Sequence, residues 1–118
     1  MWNVVATEEF EVWFEALTEG ASAEVQAKIA LLEQLGPNLG RPHADTLSRR
    51  RKHRSKHANM KELRVQHAGD PTRVLFAFDP ARTAILLIGG CKAGDDRWYA
   101  DNIPRADALF DAHLKTLG

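Results

Sequence analysis

Residues 60–90, Met60-Lys61-Glu62-Leu63-Arg64-Val65-Gln66-His67-Ala68-Gly69-Asp70-Pro71 followed by TRVLFAFD (72–79), PAR (80–82) and TAILLIGG (83–90), decide the fold. Leu63 and Val65 alternate with Glu62, Arg64 and Gln66, the period of a strand with one buried face. Gly69-Asp70-Pro71 turns the chain. Thr72–Asp79 and Thr83–Gly90 are rich in β-branched and aromatic residues and are separated by Asp79-Pro80-Ala81-Arg82, so the region predicts a three-strand meander. The last strand is apolar on both faces, which places it centrally.

Working outward, Trp2 to Ala6 reads as a short strand and Thr7 as a helix N-cap, with Glu8 and Glu9 suited to the first turn. Phe10, Trp13, Phe14 and Leu17 follow at helical spacing and Gly20 ends the helix. A second helix from near Ser22 carries Val25, Ile29 and Leu32 on one face and stops at Gly36-Pro37. Pro37 to His57 lacks periodicity and reads as loop with room for one short strand. Asn102 caps a final helix whose stripe is Ile103, Ala106, Phe110, Leu114 and Leu117. The prediction is an α+β fold in the order β-α-α-β-β-β-α, helices packed on a mainly antiparallel sheet, with residues 1–118 forming one domain.

The chain has 118 residues, 44% hydrophobic and 27% charged, with one cysteine, Cys91. That composition fits one globular core and excludes an internal disulfide. No basic-then-apolar signal opens the chain, and the longest apolar stretch, Ala84 to Ile88, is far below the roughly 20 residues that span a bilayer. The expectation is a soluble cytoplasmic protein without a membrane partner.

The formal net charge of zero conceals segregation. Residues 1–40 carry a net −6, residues 41–64 a net +7 and residues 65–118 a net −1. The run Arg49-Arg50-Arg51-Lys52-His53-Arg54-Ser55-Lys56-His57 suits a polyanion or an acidic partner segment, and equally suits a solvated loop with no dedicated ligand. Other chemistries are set aside. Gly89-Gly90-Cys91-Lys92 lacks phosphate-loop spacing. His53 and His57 have no acidic or thiolate ligand nearby in sequence, and Cys91 lacks an adjacent base. No metal or cofactor is implied.

What remains is a basic and aromatic set. Arg64 and Arg73 lie on adjacent strands, Lys92 follows the third, His57 and Lys61 lie upstream, and Arg97, Trp98 and Tyr99 follow Lys92. Singly each Arg fits a salt bridge. Together they form a cationic concavity with stackable rings, suited to single-stranded RNA.

These residues carry a resemblance. Met60-Lys61-Glu62-Leu63-Arg64, Thr72-Arg73-Val74-Leu75-Phe76, Ala84 to Gly90 with Lys92 after it, and Asn102-Ile103-Pro104 resemble, in order and spacing, the RelE/ParE superfamily of bacterial type II toxins, and more closely its HigB-like, phage-derived (Gp49-like) branch. The resemblance implies a RelE-like fold and a ribosome-dependent endoribonuclease that cleaves messenger RNA in the A site of the 70S ribosome. It also implies neutralisation by a helix-turn-helix, HigA-like antitoxin. Arg64, Arg73, Lys92, Tyr99 and His57 become the catalytic candidates, with Lys92 or His57 transferring protons and Tyr99 or Trp98 stacking on a base. Arg49, Arg50, Arg51, Lys52, Arg54, Lys56, Lys61, Arg97 and Trp98 become the RNA-binding candidates. The same fold in the ParE branch implies a different reading, a non-catalytic toxin blocking a protein such as DNA gyrase. A nucleic-acid-binding domain without activity is the third.

Overall fold

The computed structural model describes residues 1–47, 52–92 and 97–118. Its elements are β1 (Val4–Ala6), α1 (Glu8–Glu15), α2 (Glu19–Leu35), β2 (Ala44–Thr46), β3 (Lys61–His67), β4 (Asp70–Phe78), β5 (Ala84–Cys91) and α3 (Arg97–Thr116). The strands form one sheet in the order β1-β5-β4-β3-β2, with β1 parallel to β5 and the other pairs antiparallel. The α+β order and the meander are as the sequence predicts. β5 lies inside the sheet between β1 and β4, and the loop after α2 contributes β2, paired to Lys61–Leu63 of β3.

Both faces of the sheet are covered. The α1–α2 hairpin closes one core with Phe10, Val25, Leu32, Leu63, Val65, Val74, Phe76 and Leu86. α3 closes the other with Leu75, Ala77, Ile85, Leu87, Ile88, Tyr99, Ile103 and Phe110. Strand alternation assigns these residues to their sides, with one irregularity: between β4 and β5 the register shifts at Leu75/Phe76. The extra β5 residue lets Leu87 and Ile88 both join the α3 core and reverses the parity beyond it. Gly89 therefore lies under Trp13 of α1 and Gly90 under Trp98 of α3; a Cβ at either would come within 2.4 Å of an indole ring.

Two helix boundaries differ from the sequence reading. α1 ends at Glu15, and Thr18 caps α2 by accepting from the Ala21 N–H at 3.2 Å, so Gly20 lies in the first turn of α2 rather than ending α1. There its lack of a side chain admits the His67 ring, 2.9 Å from an added Cβ. Asn102 is no cap: α3 already runs from Arg97, and the Asn102 amide donates to the Trp98 carbonyl at 2.8 Å. Pro104 marks a preferred first-turn residue, but burying Tyr99 on the sheet carries the helix past it. Thr7 caps α1 as predicted, its hydroxyl accepting from the Phe10 N–H at 3.0 Å and donating to the Leu87 carbonyl at 2.7 Å.

At the β4–β5 turn, buried Asp79 accepts from the Thr83 N–H at 3.0 Å and meets His113 Nε2 of α3 at 2.8 Å. Burial opposes its ionisation, yet the hydrogen bonds with His113 and Thr83 prevail and hold the carboxyl below its ordinary value. A lowered carboxyl stabilises the fold above the unfolded value of about 3.9, and that stability is lost as pH falls through the folded value. Asp79→Asn should therefore cost about 1.5–3 kcal/mol at pH 7, read from urea unfolding. The difference should begin to shrink as pH falls below ~4, where the unfolded chain takes up the proton, and vanish once pH has passed the lower folded value.

Candidate functional site

Glu62, Arg64 and Arg73 share the face that α3 covers. Arg64 of β3 is the register partner of Arg73 of β4, and Arg73 that of Gly90 in β5. Two guanidinium groups opposite one another across strands repel unless a counter-charge lies between them. Glu62 supplies it. Its Oε2 is 2.8 Å from Arg64 Nη1, and its Oε1 accepts from the Tyr99 hydroxyl at 2.6 Å and lies 3.6 Å from Arg73 Nε. Glu62, Arg73 and Tyr99 are all buried, exposed by only 3%, 5% and 1%. A buried carboxylate is tolerated because it is paired and hydrogen-bonded. Arg73 Nη1 donates to the Thr72 carbonyl at 3.0 Å, while its buried Nε has no hydrogen-bond partner among the described residues.

Burial, then the bond to the Glu62 carboxylate, pushes the Tyr99 hydroxyl up to about 12, with Arg73 acting in the opposite sense. Tyr99 is thus a fixed hydrogen-bond donor throughout the neutral range. It anchors the start of α3 to β3.

Above this anchor lie the groups that reach the surface. The Arg64 side chain keeps 27% of its exposure. Lys92 Nζ stands 5.9 Å from the Tyr99 ring centroid, and the Lys92 N–H donates to the Pro71 carbonyl at 2.8 Å, fixing the chain just past β5. Trp98 is half-buried, edge-on to Tyr99 at 5.2 Å and seated over Gly90. Arg97 is exposed beside it. The surface there offers a planar guanidinium and an ammonium next to an indole. Such a set can bind a phosphate and stack a base.

The structure brings together Arg64, Arg73, Lys92, Trp98 and Tyr99, but not every predicted residue. Tyr99 cannot stack on a substrate base, because its ring is enclosed in the α3 core; Trp98 is the ring that remains available. His57 does not enter the site: its Nε2 is 2.8 Å from Asp111 and its ring is edge-on to Phe110 at 4.9 Å. Asp111 lies twelve residues along α3 from Tyr99, roughly 18 Å at 1.5 Å per residue. Lys61 lies on the opposite face, its Nζ 6.0 Å from the Phe78 ring, as its parity with Leu63 and Val65 requires.

Of the basic run, Arg49, Arg50 and Arg51 lie outside the described residues, and Lys52 and Arg54 are exposed. Lys56 pairs with Asp111, and that hydrogen bond raises its ammonium pKa while lowering the Asp111 carboxyl. Asp107 accepts from the Ser55 hydroxyl and from the Lys56 N–H, tying the end of the run to α3. Sequence reasoning missed Glu62. The signal was an acidic residue two positions from Arg64 on a face that a second helix also covers.

A family described as phage-derived protein Gp49-like matches residues 12–111, and the chain belongs to it. Over 105 residues the chain is 52% identical to a Mycobacterium tuberculosis (strain ATCC 25618 / H37Rv) protein named provisionally as toxin HigB3, covering 88% of this chain and 86% of that protein. Over 109 residues it is 44% identical to a second protein of that strain, named provisionally as toxin HigB2, covering 91% of this chain and 52% of that protein, about half its length. A chain in the crystal structure of the archaeal RelE–RelB complex from Pyrococcus horikoshii OT3 has a similar fold, with a TM-score of 0.55, 12% identity, and coverage of 80% of this chain and 98% of that chain. The likeness at that identity is one of fold, and it bears out the RelE-like α+β prediction.

Tyr99→Phe should lower stability by about 1.5–3 kcal/mol at pH 7. A tyrosine raised from about 10 to about 12 stabilises the fold fully below pH ~10 and ceases to do so as pH rises through about 12. Urea unfolding from pH ~8 to ~12 should therefore show wild type losing its advantage only toward the upper end of that range.

Proposed function

We propose that this member of the Gp49-like family, related to HigB proteins, is the toxin of a toxin–antitoxin pair and cleaves messenger RNA in the ribosomal A site by metal-independent 2′-hydroxyl attack. The observation that carries the reading is the joint presentation of Arg64, Lys92 and Trp98 over the buried Glu62–Arg73–Tyr99 anchor. The names of the HigB relatives support the toxin assignment.

In the reaction the 2′-oxygen bonds to the adjacent phosphorus and the bond to the 5′-oxygen breaks, leaving a 2′,3′-cyclic phosphate. Arg64, held at one nitrogen by Glu62, keeps other N–H groups for the phosphorane oxygens and needs no reorganisation as charge develops there. Arg73 acts from below: it shares Glu62, so Arg64 is not neutralised one-to-one, and the anchor retains net positive charge. Lys92 relays the 2′-hydroxyl proton to the leaving oxygen, and Trp98 stacks the base so that attack is in line. The basic run contacts ribosomal RNA phosphates, and the same charge draws an acidic part of a HigA-like helix-turn-helix antitoxin. The site of action is the cytoplasm.

Burial of Arg73 and Tyr99 favours the second reading, a toxin blocking a protein such as DNA gyrase, because it withdraws two polar groups from direct substrate contact. Mapping messenger RNA 5′ ends in bacteria briefly expressing the chain separates the two. Cleavage predicts new ends inside translated frames, in phase with codons, and a fall of about 100-fold or more for Arg64→Ala at matched protein level. Growth arrest without such ends would establish the protein-target reading instead. Replacing Arg49, Arg50 and Arg51 together with Gln should flatten the salt dependence of ribosome binding, by roughly 0.7–0.9 in log–log slope for each phosphate no longer neutralised.

A further inference from the structure

A second feature adjoins the site. β2 pairs with β3 only along Lys61–Leu63, after which the Arg64 N–H reaches the His43 carbonyl at 2.8 Å. From Val65 to His67 that side of β3 has no neighbouring strand among the described residues. The space is bounded by α2 and holds a cleft of about 330 Å³ lined by Glu24, Lys28, Pro42, Arg64, Gln66 and Arg73. Its size falls at the small end of ligand pockets, and its lining is mostly polar and charged.

We propose that this cleft is a subsite for one nucleotide of single-stranded RNA, the neighbour of the cleaved phosphate; the inference rests on the cleavage reading and deepens it. Three observations carry it. Arg64 belongs to both places: its Nη1 is held by Glu62 in the site, and its side chain lines the cleft. A strand crossing Trp98 and Lys92 beyond β5 needs only two further strand spacings, about 10 Å, to reach β3. The charges suit a phosphate with a base beside it: Lys28, Arg64 and Arg73 are cationic, and Glu24 is the carboxylate set against them.

The roles divide by chemistry. Lys28 and Arg64 face the phosphate. Lys28 Nζ is already held in place by His43 Nδ1 at 2.7 Å, and an ammonium fixed over a cleft is pre-organised for an anion. Gln66 and Glu24, both exposed, offer a paired donor and acceptor to a base edge, the means by which single-stranded RNA is read. This subsite sets which base is preferred next to the cut.

The test is binding of a fluorescent RNA oligonucleotide, 2′-O-methylated throughout so that it cannot be cleaved, to the purified protein across a salt series. Lys28→Met should weaken binding several-fold and lower the log–log salt slope by about 0.7, the value for one phosphate of a single strand. Gln66→Ala should leave the slope unchanged and alter the ranking of oligonucleotides that differ at one base. Amide shifts at Val65 and Gln66 on adding this RNA to the wild-type protein test the same site should Lys28→Met fail to fold. Unchanged affinity and slope in a folded Lys28→Met, or shifts confined to Lys92 and Trp98 with the cleft silent, would overturn the subsite. Frame-phased 5′ ends alongside a silent cleft would leave the cleavage reading standing without it. Cleft binding without such ends would remove the cleavage reading and, with it, the cleft's place beside a cleaved phosphate, leaving an RNA-binding cleft only.

Discussion

A carboxylate buried at the junction of β3, β4 and α3 must be paired, and the rest of the arrangement depends on how Glu62 meets that requirement. Three elements each supply a partner: β3 gives Arg64, β4 gives Arg73 and α3 gives the Tyr99 hydroxyl. Removing either arginine leaves the buried carboxylate short of counter-charge, a cost of several kcal/mol in other proteins, and removing the tyrosine hydroxyl takes away its neutral donor. The anchor therefore ties the start of α3 to the sheet and holds Arg64 in one orientation. It also explains why α3 continues N-terminally past Pro104, where helix propensity alone argues for a boundary.

The register shift in β5 is the second constraint. By adding one residue it moves Gly90 to the α3 face and Gly89 to the hairpin face, so each admits an indole from its own side. Trp98 is thereby seated against Tyr99, the ring that Lys92 also approaches. The acidic α1–α2 hairpin covers the opposite face, with Glu8, Glu9, Glu11, Glu15 and Glu19 exposed. A polyanion is repelled by these carboxylates and drawn to the cations at Lys28, Arg64 and Lys92, so the field orients the approach.

Much of this was legible in the sequence, where a short-range rule decides. The meander followed from period-two alternation and turn residues, the hairpin helices from their apolar spacing, and the Thr7 cap from its position. The site was legible as a composition: Arg64, Arg73, Lys92, Trp98 and Tyr99 do converge. Their roles were not legible, because burial is a property of packing between distant elements. Tyr99 becomes an internal donor and Arg73 an internal cation only once α3 lies on the sheet. Lys61 could have been excluded by parity, since it shares a strand face with Leu63 and not with Arg64. β2 is too short for a periodic signal, and the shift in β5 leaves none in a run apolar on both faces. His57 is close to Arg64 in sequence, whereas Asp107 and Asp111, some fifty residues further along the chain, decide where its segment sits.

The most direct test of the central claim uses purified components: a messenger RNA on ribosomes with an empty A site, the same RNA free, and the protein, with and without a transition-metal chelator while magnesium is held constant to keep the ribosomes intact. Cleavage within the A-site codon only on the ribosome, leaving a 2′,3′-cyclic phosphate and a 5′-hydroxyl, and lost in Arg64→Ala, is the result the account predicts. An intact messenger RNA under all these conditions, or a product ending in a 5′-phosphate, would contradict it.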